Sequence, residues 1–269
     1  MITQVKTVMT IHSERQLKTG GDPRTLTDYA ALRDEMNKLT HPARPDVNWQ
    51  HAETLCLSLF EHNGVELQTA AWYTLARTHL AGLYGMNEGL ALLAALVVRQ
   101  WGSLWPQPVH ARVEILSALS KRLQQVVRTL TLTYADLGQL YQAEENLNAL
   151  SDMLQRLELK HAAQLFTVFQ THCCVLHHRA QGIKRLNRHY GMKTDIHESL
   201  YDALTDACLL PDTGARNVDS LLNQQILPVL SQQLLMHMAA GQKPHTLTLG
   251  WDEEEGIVLE FDRTQGVHA

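Results

Sequence analysis

Apolar residues recur three and four positions apart along most of the chain, a spacing that restricts it to amphipathic helices, each with one buried face. The spacing is visible in Trp49, Ala52, Cys56 and Leu59, in Leu90, Leu93, Val97 and Trp101, and in Val113, Leu116, Leu119, Leu123 and Val127. Helix breakers separate the periodic stretches: His41-Pro42 with Pro45, Asn63-Gly64, Gly82 to Gly85, and Pro106 with Pro108. Proline lacks the amide hydrogen a helix needs and glycine lets the backbone turn, so helices end there. Asn48 is placed to cap the helix opening at Trp49, and Trp72, Leu75, His79 and Leu83 share a face of the next one. A helix from about Val109 to Leu130 closes this first group.

Beyond Thr131 the helices lengthen. Leu140, Ala143, Leu147, Leu150, Leu154 and Leu157 form one seam, and Leu165, Phe169, His172, Leu176, Arg179, Ile183, Leu186 and Tyr190 a second. Joined at about Glu158 to His161, the two predict an antiparallel hairpin, with His172 and Arg179 leaving the second seam imperfect and partly against another surface. After Pro211 one more helix is expected over about Val218 to Ala240. Thr246 to Leu249 and Ile257 to Phe261 then alternate around an acidic turn, Asp252 to Gly256, as a small β-hairpin does. A lone hairpin is barely stable in water and must pack on helices or on a partner. The expected fold is all-α: a multi-helix bundle, a long helical hairpin and a small C-terminal β-hairpin. Its expected parts are an N-terminal extension (1–17), a first helical domain (18–130), a second helical region with the hairpin (131–242) and the β-hairpin with its tail (243–269).

With 269 residues, 45% apolar and 19% charged, the chain can bury a substantial core. Its 23 Lys and Arg against 28 Asp and Glu give a net charge of -5, so no basic field favours nucleic acid as a partner. Cys56, Cys173, Cys174 and Cys208 lie scattered in periodic segments and the first residues do not read as an export signal, which predicts a cytoplasmic protein. The most apolar stretch, Gly89 to Val98, is uncharged for 10 residues, and a membrane span needs about 20. Ser220 to Gln242 is uncharged but holds glutamines, serines and Pro228, and reads as an amphipathic surface helix without the basic face that membrane binding favours.

No glycine-rich phosphate loop, nucleophile elbow, His-Glu-x-x-His or Cys-x-x-Cys pair occurs in the sequence. The best chemical cluster is His172, Cys173, Cys174, His177 and His178, where Cys173 with His177 and Cys174 with His178 stand four apart on a helix. Such pairs chelate a soft metal, and a metal-binding helical protein or enzyme is the alternative they suggest. A closed site needs four ligands, so the ordinary role of these side chains is to fill the seam; neither metal nor cofactor is expected. Trp49, Trp72, Trp101 and Trp105 read as packing residues rather than a ligand cage. Gly20 to Arg24 reads as a helix opening capped by Asp22 or Thr25 rather than an anion site, and the acidic turn as a solvated one.

Six pieces in order carry a further signal: Gly21-Asp22-Pro23-Arg24, Tyr29 to Glu35, Asn48-Trp49, Val65 to Tyr73, Gly85 to Leu93, and Trp101 to Pro106. Over about residues 18 to 125 they resemble the ImpA N-terminal domain of TssA-type and TagA-type proteins of type VI secretion systems. The long helical hairpin that follows looks closer to TagA, although TagA-like proteins reach the inner membrane through a hydrophobic C-terminal region that is not seen here. The resemblance implies a non-enzymatic assembly protein and a homo-oligomer. Its partners would be a TssA-type cap protein, the tail sheath or the baseplate, and through them the inner-membrane complex. TagA-like members stop sheath growth and hold the extended sheath. The resemblance supplies no catalytic residue; it implies that Asp22 and Arg24 fix the opening loop and that Trp49, Trp72 and Trp101 hold the helices together.

Overall fold

The computed structural model describes residues 18–132, 134–167, 169–170, 173, 176, 188, 191–200, 202–203, 222–242 and 244–262. The chain is mostly helical with a small sheet near its C-terminus. It divides into two compact units, Met1–Thr131 with Gln142–Gln170, and Leu132–Tyr141 with Thr171–Ala269.

In the first unit, α1 (Thr27–Asn37) packs on α2 (Trp49–His62), α2 on α3 (Leu67–Arg99), and α3 on α4 (Val109–Thr129). Asn48 caps α2 as the sequence predicts, its side-chain oxygen accepting the His51 amide at 3.0 Å. α3 is not a straight rod. Ala81 and Gly82 leave the helical region, Gly82 with φ 58° and ψ -139°, a backbone shape that glycine alone adopts readily.

The chain doubles back at this bend. Arg77 before it pairs with Glu88 after it at 3.0 Å. A Cβ on Gly89 would lie 2.6 Å from Thr74 Cα, and one on Gly85 would lie 2.7 Å from the Arg77 carbonyl carbon. The two halves of α3 therefore pack backbone against backbone at two glycines. Taken as one segment, Leu67–Arg99 is long and apolar enough to cross a membrane, yet 61% of its apolar window is buried. The bend also leaves each half shorter than the roughly 20 residues a span requires.

α4 buries Leu116, Leu119, Leu123 and Val127, with Val113 half-buried beside them. α5 (Leu137–Arg156) turns through 157–159 into α6, which opens at 160 and is described to 170. In α5, Ala143, Leu147, Leu150 and Leu154 are buried, and Ser151 Oγ donates to Ala163 O at 3.3 Å and meets Thr167 Oγ1 at 2.7 Å. The predicted hairpin is present over the described residues, and its second seam holds at Phe169 and Leu176, both buried, but not at Leu165; His172, Arg179, Ile183, Leu186 and Tyr190 lie outside the described residues. Ala162, Phe166 and Phe169 are fully buried, while Leu165 is only half-buried. Leu165 and Phe166 stand four and three residues before Phe169, so both spacings are helical, and the frame that buries two aromatic rings removes more apolar surface from water. Ser120 Oγ donates to Leu165 O at 3.2 Å, and Asn146 Nδ2 reaches Asn87 O at 3.5 Å, tying the hairpin to the helices before it.

The second unit contains a three-stranded sheet in the order β1 (Lys193–Ile196), β2 (Thr246–Asp252), β3 (Gly256–Phe261). The hairpin predicted from sequence is β2 and β3, antiparallel with Leu249 opposite Leu259. The strand β1, inside a region read as helical, pairs parallel to β2 with Thr194 opposite Leu247. It gives the hairpin the third strand that stability in water asks for. α7 (Leu227–Ala239) continues directly from a π-helix over Leu222–Ile226, with Pro228 in its first turn, so the predicted helix is present from 222 to 239; residues 218–221 lie outside the described ones. It buries Leu230 and Leu234 and sets the His237 ring 4.5 Å from Phe261.

Candidate functional site

The opening loop is laced to the start of α3 by main-chain bonds. Val65 N donates to Lys18 O at 2.9 Å and Gly20 N to Val65 O at 2.8 Å, forming an isolated parallel bridge between Thr19 and Val65. Gly20 must be glycine here, since a Cβ would meet Gly64 O at 2.8 Å and Asn63 O at 2.9 Å. Asn63 Nδ2 also donates to Gly21 O at 3.1 Å.

On this anchored loop Asp22 and Arg24 form a fork. Asp22 accepts from Arg24 N at 3.0 Å, Nε at 2.9 Å and Nη2 at 2.6 Å. The Arg24 bonds hold the Asp22 carboxyl below the usual carboxylate range. The Arg24 guanidinium lies 5.5 Å from the Trp105 ring centre, so cation and indole are also paired. The sequence reading of Asp22 or Thr25 as a helix cap is corrected. The residue at the cap of α1 is Leu26, with no side-chain bond, because the Asp22 oxygens are turned onto Arg24 instead.

Beneath the loop, two residues that the sequence reading did not single out organise the backbone. Glu66 caps α3, accepting from Gln68 N at 2.8 Å, Thr69 N at 2.6 Å and Thr69 Oγ1. It is fully buried, and burial outweighs these bonds and lifts its pKa to about 7. Burial, reinforced by the Glu66 charge, raises the nearby Tyr29 phenol to about 12. Arg112 is buried without a carboxylate beside it. It donates Nε to Pro106 O at 2.5 Å, Nη1 to Trp101 O at 2.8 Å and Nη2 to Leu104 O, and stacks 4.6 Å from the Trp101 ring centre. Three carbonyls of an irregular stretch are thereby satisfied by one planar cation.

The three tryptophans implied as helix holders are half-buried and sit at the margins of the core. Trp49 stacks on His79 at 3.9 Å and 8°, Trp72 tilts against Tyr29 at 5.6 Å, and Trp101 lies under Arg112. Arg77 joins α2 to both halves of α3 through Glu53 at 3.1 Å and Glu88 at 3.0 Å. Its signal in sequence is weak, because a charged residue on a helix normally reads as exposed.

Asp28, Ser58 and His62 have the composition of a nucleophilic triad, with His62 Nδ1 3.3 Å from Ser58 Oγ, but they stand in the wrong order. Ser58 Oγ donates straight to Asp28 at 2.5 Å, and His62 Nδ1 lies 2.8 Å from the Ser58 carbonyl oxygen. A base that activates a serine must stand between the hydroxyl and the acid. Of the candidate metal ligands, Cys173 is buried, while His172, Cys174, His177 and His178 lie outside the described residues. Among the described residues no group of three His, Cys, Asp or Glu is placed to hold a metal ion. What the first unit offers is a rigid helical scaffold presenting a fixed loop with an exposed acid, an exposed cation and an indole.

Residues 14–121 match the family described as ImpA, N-terminal, type VI secretion system. The matched stretch runs from before the opening loop into α4 and contains the Asp22–Arg24 fork, Glu66, Arg112 and the four tryptophans around them. Residues 175–246 match the C-terminal, D2-small domain of ClpB protein, a stretch that includes β1 and α7 and ends on the first residue of β2. No curated protein and no solved structure matches the chain.

Proposed function

We propose that this chain is a non-enzymatic assembly component of a bacterial type VI secretion system, working in the cytoplasm. It would contact a TssA-type cap protein, the tail sheath or the baseplate, and control or terminate sheath growth in the manner of TagA-type proteins. The observation that carries the reading is the match of residues 14–121 to the ImpA N-terminal family. The geometry of the opening loop supports a binding role, because Asp22 and Arg24 are held in place by bonds to each other and by an anchored backbone. A preorganised polar pair loses little side-chain entropy on docking.

The second unit enters this reading as a further docking module. Its likeness is to a small domain of ClpB, and the sequence holds no Gly-x-x-x-x-Gly-Lys-Ser/Thr loop with which to grip a nucleotide. The test is a titration of the purified full chain against the cap protein, extended sheath and baseplate proteins of the same system. Binding to the cap at a micromolar or tighter dissociation constant, about -8 kcal/mol, is expected, with Arg24→Ala weakening it about ten-fold. Binding to sheath or baseplate alone moves the role to that component. Failure to bind any of the three defeats the proposal.

A further inference from the structure

The sheet of the second unit has two outer edges, and they differ in how they are shielded. A free row of main-chain donors and acceptors invites another strand, so edges are commonly blunted by short length, by Lys or Pro, or by a bulge. β1 is four residues long and begins at Lys193. β3 is six residues, GIVLEF, with neither Lys nor Pro, and its register with β2 runs unbroken from the pair Leu247 and Phe261 to the pair Asp252 and Gly256. Asp262 N donates to Thr246 O at 3.2 Å, and the bonded pairs of an antiparallel ladder alternate. Gly256, Val258 and Glu260 therefore bond inward to β2, while the main-chain groups of Ile257, Leu259 and Phe261 point away from it. Among the described residues no strand lies on that side.

The apolar cover of the sheet also gives out at this edge. Leu247 and Leu249 of β2 are buried, whereas Phe261 and Leu259 opposite them are half-buried. Charge selects what can cover them. Residues 246–262 hold Asp252, Glu253, Glu254, Glu255, Glu260 and Asp262 and no Lys or Arg. Asp252 accepts from the Glu254 and Glu255 amides and Asp262 from those of His245 and Thr246, whereas Glu253, Glu254, Glu255 and Glu260 stand exposed. A second copy joined edge to edge would set these carboxylates against one another. A basic strand would be drawn to them.

We propose that the outer edge of β3 takes up an extended segment of a partner protein in which basic and apolar residues alternate. The segment continues the sheet as a further strand, its main chain bonding to Ile257, Leu259 and Phe261. Side chains of a strand alternate between faces. The apolar ones of the segment therefore lie beside Leu259 and Phe261, and its Lys or Arg side chains beside Glu260 on the opposite face. The acidic turn at 253–255 draws the same segment from a distance. This gives the second unit a partner class of its own and does not rest on the secretion-system reading.

The test is a titration of the full chain with a synthetic peptide of alternating lysine and valine, about eight residues long, followed by calorimetry and by amide hydrogen exchange. A dissociation constant tighter than about 1 mM is expected, with slowed exchange at Ile257, Leu259 and Phe261. The same peptide N-methylated throughout keeps its charge but loses its main-chain donors, and a peptide of alternating glutamate and valine keeps the donors but reverses the charge. Each should bind about ten-fold more weakly or worse. Glu260→Lys, at an exposed position, should weaken binding of the lysine peptide about ten-fold with the far-UV circular dichroism unchanged. No binding at about 1 mM, equal binding of either control peptide, binding that leaves the three amides unprotected, or a folded Glu260→Lys that binds as the parent does overturns the proposal. The peptide comparisons are made on the parent chain and decide the matter even if Glu260→Lys fails to fold.

Discussion

Glu66 shows how one side chain couples the first unit to pH. Water does not reach its carboxyl, and burial raises its pKa from 4.5 to about 7 against the pull of three hydrogen bonds from Gln68 and Thr69. The folded state therefore keeps this proton to a higher pH than the unfolded chain does. The stabilisation is complete below about 4.5, declines as pH rises through 7, and is gone above it. Its upper bound is about 3 kcal/mol. Glu66→Gln has no proton to lose, so the part of the stability difference between pH 5 and pH 8 that Glu66 supplies should vanish in the variant. Urea unfolding of both proteins at the two pH values measures it, and an unchanged pH difference in Glu66→Gln would dismiss the assignment. Glu35 works in the opposite sense, because bonds from the Asn48 amide and Lys38 overcome burial and lower its pKa. Only the comparison between the parent chain and the variant isolates Glu66.

At the scale of elements, the α3 bend is the most constrained feature of the first unit. Gly89→Ala places a methyl 2.6 Å from Thr74 Cα, which is backbone and cannot swing aside. The halves of α3 must separate, and a cost of about 2 to 3 kcal/mol is expected, read as a lower denaturation midpoint. A midpoint within a few tenths of a kcal/mol of the parent would mean that the halves are not in backbone contact. The turn between α5 and α6 predicts the reverse. Leu159 N bonds back to Leu154 O at 2.9 Å and Glu158 carries φ 60°, the left-handed position at a helix end where glycine is favoured. Glu158→Gly should stabilise the chain by about 0.5 to 1 kcal/mol, seen as a rise in the thermal midpoint; a fall would contradict it. Spacing and breakers made α2, α4, the α3 bend and the β2–β3 hairpin legible in the sequence, because each is set by neighbours within a few residues. β1 was not legible: Lys193–Ile196 is four residues long, and its partner begins at Thr246. A parallel pairing across that distance leaves no turn signature. The roles of Glu66 and Arg112 were hidden for a related reason. Glutamate is not among the favoured caps, and the carbonyls that Arg112 satisfies are arranged only once the chain has folded.

For the whole molecule, the boundary of likeness and the boundary of folding differ. The ImpA N-terminal match ends at residue 121, inside α4, whereas the first compact unit continues through 142–170. The hairpin in that continuation buries Leu147, Leu150, Leu154 and Phe166 completely, and it bonds to Ser120 and Asn87 of the matched stretch. Cutting the chain at 131 would expose the apolar faces that the hairpin and the earlier helices bury together, at about 25 cal/mol per Å². A piece spanning 1–170 should unfold cooperatively in urea, while a piece spanning 1–131 should bind a hydrophobic dye and melt without a sharp transition. A cooperative, dye-free 1–131 piece would show that the matched stretch is self-sufficient and that the hairpin is an appendage. The distinction bears on function, since the loop that carries the Asp22–Arg24 fork is held by Asn63 and Val65, inside the matched stretch. If 1–170 binds the partner of the full chain and a folded 1–131 does not, the hairpin belongs to the binding unit. Equal binding by both would place recognition wholly within the family-matched helices.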